Sequence, residues 1–417
     1  MYTATVLGIL GTVAAARQLE PREFGLLAIV LATTGFFQLF LDTTVEEAVV
    51  KFGFRYSTAE DWGRLRRLFS VGLAVKLLGG GAAALAIAAL APIAHRVFGS
   101  DSLLVPLLLA AVVPIIQAPE GIVGAALIVR GRYDVRGWLL AVSMGLRLTG
   151  LAVGAGFGVT EAVVGFVAAQ IASTCVVAVV GLAAFRGFPA ATAVLLGDDA
   201  RAVRGFVIRS GVGSGLVSMR TTLSQLLLGD AATPSQVGYF RIAQAPVTGL
   251  TSLSAPVRLI MLTEQTRDFE RGERDRVWTS LGRYMAGSGA LMLAVVPLGW
   301  WLMPDLVRLV FGGPYAPGTE AARLLLLVAA LQFVFGWSKS LPVSIGRPEL
   351  RIVAHGIEIA VLCPLLVALG GRWGATGAAG AALAATGAFA GVWTVLLIRL
   401  RRGVLAVGPP SVEATPL

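Results

Sequence analysis

The residues of this chain that could most clearly do chemistry are charged side chains inside apolar stretches. Arg147 lies about ten residues into one such stretch, and Arg220 lies about fourteen residues into another. A charge at that depth in a membrane is costly unless it faces water or a partner. We interpret both as cations lining a wet central cavity. Arg17, at the end of the first apolar stretch, is a third candidate for the same cavity.

Acidic side chains are rarer within these stretches. Asp42 lies near the end of the second stretch, Glu120 in the fourth and Glu358 in the eleventh. Glu358 follows His355 by three residues, so both lie on one face of a helix. Each acid fits two interpretations. It could form an internal ion pair with an arginine, or it could be a site for a proton or another cation that drives transport. These four residues are therefore the ion-coupling candidates.

The buried charge is mostly positive, which favours an anionic ligand. Arginine binds phosphate through a planar, bidentate fork, so a phosphate-bearing molecule fits best. The sequence shows no Walker motif and no nucleophile with an adjacent base, so we expect neither ATP hydrolysis nor enzymatic catalysis. Two cysteines and two histidines at unrelated positions predict no metal site, no disulfide framework and no cofactor.

Composition indicates the elements that must position these charges. The 417 residues are 56% hydrophobic and only 14% charged, whereas soluble domains carry about 25% charged residues. The mean hydropathy is +0.80. Apolar stretches of roughly twenty residues recur along the chain, long enough to cross a bilayer core of about 30 Å as helices. We therefore predict an all-α polytopic membrane protein.

Twelve apolar stretches predict twelve transmembrane helices. The first is short and lacks a basic flank, which argues against a signal peptide and suggests that the natural chain starts further upstream. The stretches fall at about 2–16, 25–45, 71–91, 103–128, 138–157, 162–184, 206–228, 238–258, 280–302, 321–345, 352–369 and 375–398.

Lysine and arginine are unevenly divided between alternate loops. One set of loops holds 21 of them and the other set holds 5. The positive-inside rule places the richer set in the cytoplasm, together with both termini. This topology accounts for most of the net charge of +10 without a nucleic-acid partner. We predict a multi-pass protein of the bacterial cytoplasmic (inner) membrane.

Short motifs recur at a nearly constant offset, which indicates a duplication. Pro21 and Gly25 are matched 213 residues later by Pro234 and Gly238, and the segment ending in Val97-Phe98-Gly99 is matched by Val310-Phe311-Gly312. GRYDVR at 131–136 is matched by GRPELR at 346–351, and Gly158 and Thr160 are matched by Gly374 and Thr376. Six crossings return the chain to the side where it started. The two copies are thus parallel repeats around a central cavity, a layout typical of transporters with alternating access.

The predicted domains follow from this duplication. The N-terminal lobe covers 1–184, a cytoplasmic linker covers 185–205, the C-terminal lobe covers 206–402, and a disordered cytoplasmic tail covers 403–417.

Several of these segments resemble a known family. ARQLEPREFGLLAIVLATTGFFQLFLD at 16–42 is similar to the opening of polysaccharide flippases, the O-antigen and capsule repeat-unit translocases. LLLGDAATPSQVGYFRIAQAP at 226–246, the VFG segment and the GRPELR loop resemble the second half of the same family. These flippases belong to the multidrug/oligosaccharidyl-lipid/polysaccharide exporter superfamily. The pair Glu46-Glu47 departs from the family pattern, in which one acid or none is expected.

The resemblance implies a function and its partners. An undecaprenyl-pyrophosphate-linked oligosaccharide would pass from the inner to the outer leaflet, with Arg17, Arg147 and Arg220 as the cations that hold it. Membrane lipids, a polysaccharide polymerase and glycosyltransferases are the implied partners. Four alternatives remain open: a cation-coupled multidrug exporter, a lipid II flippase, a non-transporting scaffold of a glycan-synthesis complex, and a membrane-embedded glycosyltransferase or polymerase. The cationic interior argues against the drug exporter, and the short outer loops argue against the enzyme.

Overall fold

The protein is almost entirely helical. A computed structural model describes residues 2–41, 45–197, 199–345, 347 and 349–402. Over these residues it consists of α-helices and short 3-10 turns, without a β-strand. The chain divides into two compact units, Met1–Gly238 and Tyr239–Leu417. The all-α fold class is therefore confirmed, and it is the class expected where lipid leaves no water to satisfy the backbone.

Seventeen α-helices follow one another along the described residues. Those that begin in the first unit are α1 (Tyr2–Gln18), α2 (Pro21–Leu41), α3 (Val45–Thr58), α4 (Trp62–Leu90), α5 (Ala94–Phe98), α6 (Leu104–Ala110), α7 (Val113–Val129), α8 (Tyr133–Ala155), α9 (Val159–Arg186), α10 (Asp199–Ala231) and α11 (Pro234–Ala243). The second unit continues with α12 (Ala245–Leu253), α13 (Ala255–Glu270), α14 (Arg274–Phe311), α15 (Thr319–Val334), α16 (Leu341–Ser344) and α17 (Glu349–Arg401). Short 3-10 turns join some of them, at Ala91–Ile93, Asp101–Leu103, Gly313–Gly318 and Gly336–Lys339.

Eight helical stretches within the described residues are long and apolar enough to span a membrane. They are Pro21–Leu39, Trp62–Phe98, Asp101–Val129, Tyr133–Ala155, Val159–Arg186, Arg274–Phe311, Gly313–Val334 and Glu349–Arg401. The last of them contains two predicted stretches, so the eight cover nine of the twelve. The other three lie in α1, α10 and α11–α13, which are helical as well. The protein is polytopic, while the number twelve stays a prediction.

Helix α4 begins at Trp62, well before the apolar stretch 71–91, so that Lys76 lies far from the start of the helix. Asp61 caps the start of α4, where its side chain accepts a hydrogen bond from the Arg64 backbone N–H at 3.0 Å. Lys76 therefore lies near the middle of α4 and is buried. Lys76 is thus far from both ends of α4, because the polar first turns belong to the helix.

Prolines divide the fourth apolar stretch, as its sequence predicts. α6 ends at Ala110 and α7 begins at Val113, with Pro114 in its first turn, where a missing N–H has no cost. Pro119 lies inside α7, one residue before Glu120. A proline there cannot donate a hydrogen bond to the preceding turn.

Repeat-matched glycines occupy matched turns. Gly158 lies between α8 and α9 with φ 137°, and Gly374 interrupts α17 with φ 58°. A side chain is strained at either angle. After each turn the helix folds back onto the preceding one: a Cβ on Gly154 would lie 2.1 Å from the Glu161 carbonyl oxygen, and one on Gly377 would lie 1.9 Å from that of Leu369. We call α8–α9 the first hairpin and the two arms of α17 the second hairpin.

The first pair of repeat-matched motifs makes a reciprocal contact within the first unit. A Cβ on Gly25 would lie 1.7 Å from the Pro234 carbonyl oxygen, and a Cβ on Gly238 would lie 2.3 Å from the Pro21 carbonyl oxygen. Each proline thus faces the glycine of the other motif. The backbones can approach so closely only because both glycines lack side chains. This contact gives the sequence match a physical reason.

Candidate functional site

Glu120 joins three helices of the first unit through one carboxylate. It lies on α7, and its Oε2 accepts a hydrogen bond from Arg147 Nη2 of α8. Both side chains are 16% exposed. An ion pair so far from water depends on its partners, because each charge alone would be costly to bury. The internal ion pair, one of the two interpretations open for Glu120, is therefore present in the structure.

The other oxygen of Glu120 accepts hydrogen bonds from α9. Gln170 Nε2 donates at 2.8 Å, Ser173 Oγ at 3.1 Å and Thr174 Oγ1 at 3.2 Å. These residues are spaced by three and four, so they share one face of the helix. Ser173 Oγ also lies 2.7 Å from Ser143 Oγ of α8. We call Glu120, Arg147, Ser143 and the three α9 residues the Glu120 cluster.

Two polar atoms of the Glu120 cluster are left unsatisfied among the described residues. Arg147 Nε and Gln170 Oε1 are buried and have no hydrogen-bond partner within the described residues. Gln170 is completely buried. Buried polar atoms are rarely left without a partner in proteins. The cluster can thus offer an acceptor oxygen to a cation, or an N–H donor to an anion.

A second charged cluster lies beside the first along α7. Arg136 of α8 forms a salt bridge with Glu46 of α3. Glu46 Oε2 and Lys76 Nζ each lie 3.3 Å from the position that a Cβ on Gly121 would occupy. The glycine therefore leaves room for charged side chains from two other helices. Glu46, which departs from the family pattern, has a defined partner.

The remaining cavity candidates lie on other helices of the first unit. Arg17 is exposed in the last turn of α1. Arg220 is half-buried in α10, and its backbone carbonyl accepts a hydrogen bond from Ser224 Oγ at 2.7 Å. Asp42 lies outside the described residues. Arg147, by contrast, faces Glu120.

His355 and Glu358 meet in the second unit, as their spacing predicts. His355 Nδ1 lies 2.9 Å from Glu358 Oε2, and Glu358 is 2% exposed. The His355 ring stacks on Phe389 of the other arm of the second hairpin, with ring centroids 4.9 Å apart. The contact brings two of the ion-coupling candidates together, while their coupling role stays a prediction.

A polar contact outside the spanning stretches fixes the start of α10. Asp199 accepts a hydrogen bond from Tyr56 Oη at 2.9 Å and pairs with Arg55 at 3.3 Å. Burial raises the pKa of Tyr56 to about 12, and the hydrogen bond and negative charge of Asp199 act in the same direction. The contact joins α3 to α10.

Sequence reasoning did not identify three polar side chains of the Glu120 cluster. Gln170, Ser173 and Thr174 are small polar residues in an apolar stretch, and their shared face was a usable signal. The Glu46–Arg136 pair spans 90 residues, so nothing local indicates it. No group of three or more His, Cys, Asp or Glu suited to a metal ion occurs in the part of the chain that the structure describes.

The architecture is that of MOP superfamily transporters. An inward-facing multidrug resistance MATE family transporter matches with a TM-score of 0.77 and 14% identity, covering 97% of this chain and 96% of the other. The lipid II flippase MurJ, in an inward closed conformation, matches with a TM-score of 0.72 and 12% identity over 95% and 86% of the two chains. A MOP superfamily transporter from Pyrococcus furiosus, described as having a binding pocket of reverse polarity, matches with a TM-score of 0.60 and 14% identity over 96% and 92%.

The family follows from the sequence itself. The profile of the polysaccharide biosynthesis protein family matches residues 14–303, more than two thirds of the chain. No curated protein matches the sequence significantly. The chain therefore belongs to the polysaccharide biosynthesis protein family. Its apolar helices make it a multi-pass membrane protein, and its fold is similar to that of MOP superfamily transporters.

Proposed function

We propose that the protein carries an undecaprenyl-pyrophosphate-linked oligosaccharide across the bacterial cytoplasmic membrane by alternating access. The observation that carries this proposal is the family match, because it joins a transporter fold to polysaccharide assembly. A polysaccharide repeat unit built on a lipid carrier must change leaflets before it is used outside. The proposed transporter has three parts, which are the N-terminal lobe 1–184, the linker 185–205 and the C-terminal lobe 206–402. Both termini are proposed to lie in the cytoplasm.

Cations within the helices are the proposed holders of the pyrophosphate. Arg17 and Arg220 are candidates because each lies within or at the end of an apolar stretch, where a cation is costly unless it faces water or a partner. Arg147 adds a donor through Nε, which stays without a hydrogen-bond partner in the described residues while Nη2 binds Glu120. Arginine suits this task because its fork matches two phosphate oxygens at once.

The His355–Glu358 pair is the proposed proton-coupling site. One proton can move between a carboxylate and an imidazole and change the charge of both. Glu120 pairs instead with Arg147, whose charge is permanent. The oxygen atoms around Glu120 therefore suit a metal cation or a purely structural ion pair better than proton transfer. Asp42 stays a candidate on sequence grounds alone.

Transport by purified protein in liposomes tests the proposal. The probe is an undecaprenyl-pyrophosphate oligosaccharide loaded in one leaflet, and its arrival in the other leaflet is measured with an impermeant glycosidase. We expect transfer well above that of protein-free liposomes. Arg220→Ala should slow it at least tenfold, whereas Arg204→Ala, which removes an exposed arginine from the same helix, should not. Equal rates with and without wild-type protein would contradict the proposal.

Two other cargoes are tested by the same liposomes. A multidrug exporter is favoured by the strong fold match to a MATE family transporter, and a lipid II flippase by the match to MurJ. Cationic dye efflux without glycan transfer would favour the first. Transfer of lipid II in preference to the oligosaccharide would favour the second.

A further inference from the structure

An apolar groove opens on one side of the first unit, between α4, α7 and α9. Its volume is about 570 Å³, within the range of small-molecule sites. All three helices belong to stretches that are long and apolar enough to span a membrane, and Phe188 and Ala191, which follow α9, complete the lining. The side chains that form its walls are Leu65, Phe69, Leu73, Ile122, Leu182 and Phe185.

Two arginines line the same groove at its polar end. Arg66 lies in the second turn of α4, and Arg186 is the last residue of α9. Both are exposed, and neither has an ionic partner within the described residues. Nearby Arg130, by contrast, donates a hydrogen bond to the Ala184 carbonyl at 3.0 Å and lies 5.7 Å from the Phe188 ring. The groove therefore combines apolar walls with two available positive charges.

We propose that this groove binds an anionic phospholipid, with one acyl chain between the helices and the phosphate at Arg66 and Arg186. A soluble anion would satisfy the arginines but leave Leu73, Leu182 and Phe185, the wall side chains that are not buried, in contact with water. A zwitterionic lipid such as phosphatidylcholine would cover the walls, but its cationic headgroup would offset the attraction between its phosphate and the two arginines. The arginine distribution predicts that this end lies at the cytoplasmic leaflet, where basic clusters attract anionic headgroups.

The position of the groove gives the lipid a defined mechanical role. The groove extends along α7 to Pro119, which directly precedes Glu120. A chain in the groove contacts α4, α7 and α9 together, and α7 and α9 are also the helices that surround the Glu120 carboxylate. Lipid occupancy should therefore stabilise the helices that hold the Glu120 cluster.

Native mass spectrometry of the full chain in detergent tests the proposal. The probes are phosphatidylglycerol and phosphatidylcholine with identical acyl chains. We expect one tightly held phosphatidylglycerol per protein and a rise in the midpoint of thermal unfolding on adding it. Arg66→Gln with Arg186→Gln should weaken phosphatidylglycerol binding by about tenfold to thirtyfold. Phosphatidylcholine binding should not change.

Two further variants separate the groove from general charge. Arg271→Gln with Arg274→Gln removes two exposed arginines from another loop and should leave lipid binding intact. Leu182→Trp adds bulk at an exposed wall position and should expel the lipid while the charges remain. Equal retention of both lipids, or equal losses in the two arginine pairs, would overturn the proposal. Binding of undecaprenyl phosphate but not of phosphatidylglycerol would overturn it as well, and would assign the groove to the carrier lipid.

Discussion

The first and second hairpins each turn at a glycine, but they differ in the charged side chains that they hold. Gly158 and Gly374 stand at matched positions with positive φ, and each hairpin closes through a glycine next to a backbone carbonyl. The first hairpin surrounds an acid that comes from α7, and supplies Arg147, Gln170 and two hydroxyls to it. The second hairpin carries its own acid, Glu358.

The surroundings of the two acids explain this difference. At an offset of 216, Ser173 of the first hairpin corresponds to Phe389 of the second, so that a donor is replaced by an aromatic ring. Phe389 stacks on His355, and His355 is the acid's partner. One scaffold thus holds a glutamate paired with an arginine in one repeat and a glutamate paired with a histidine in the other. The shared geometry is structural, and we infer that the divergent charges carry the function.

The largest effect should come from removing one partner of the Glu120–Arg147 pair. Arg147→Met leaves the Glu120 carboxylate buried without its cation, and we expect the unfolding free energy to fall by about 3 kcal/mol or more. The double variant Arg147→Met with Glu120→Gln should recover part of this loss. Thermal unfolding in detergent measures both. Additive losses in the double variant would show that the two side chains act separately.

Glu358→Gln provides the comparison in the second hairpin. The amide can still hydrogen-bond to His355, so we expect a smaller loss, about 1 kcal/mol. A loss as large as that of Arg147→Met would remove the proposed difference between the two pairs.

The shared turns should respond alike. Gly158→Ala and Gly374→Ala each place a side chain at a positive φ, which costs about 1–2 kcal/mol. Gly137→Ala in α8 and Gly356→Ala in α17 are matched controls, because a Cβ at either position meets no atom within 4 Å. Thermal unfolding of the four variants compares them. If only one of the two turn variants is destabilised, the turns are not equivalent.

The pH dependence of transport distinguishes the two pairs functionally. If His355 and Glu358 pass the coupling proton, then Glu358→Gln should flatten the pH profile of glycan transfer between about pH 6 and 8. Glu120→Gln should lower the rate while leaving the shape of the profile unchanged. Transfer rates in liposomes across this range measure both. A flattened profile for Glu120→Gln alone would reverse the assignment.

The smallest effect lies outside both hairpins, at Tyr56. Its pKa rises from an ordinary 10.0 to about 12 in the folded protein, so the folded state holds the proton more tightly. The stabilisation is complete below pH 10 and is lost as the pH rises to 12. Tyr56→Phe should remove this alkaline loss, at a cost of about 1 kcal/mol near neutral pH. Unfolding midpoints between pH 8 and about pH 12 test this, and an unchanged alkaline loss in the variant would contradict it.

Sequence reasoning succeeds where structure is local or repeated. The spacing of His355 and Glu358 predicts their contact, and the matched glycines predict matched turns, because helix periodicity and backbone strain act over a few residues. Sequence reasoning does not give the depth of Lys76, which depends on where α4 begins. It leaves the partner of Glu120 open, because Arg147 lies 27 residues away on another helix. Such contacts depend on how helices pack, and hydropathy carries little of that information.

Deletion of the gene tests glycan transport most directly. Lipid-linked glycans and surface polysaccharide are then measured in the same cells. If the protein is a repeat-unit flippase, we expect lost surface polymer and lipid-linked repeat units trapped on the inner leaflet. We also expect rescue by the wild-type gene but not by a stably inserted Arg220→Ala variant. Unchanged surface glycan together with new sensitivity to cationic dyes would contradict the account and indicate a drug exporter.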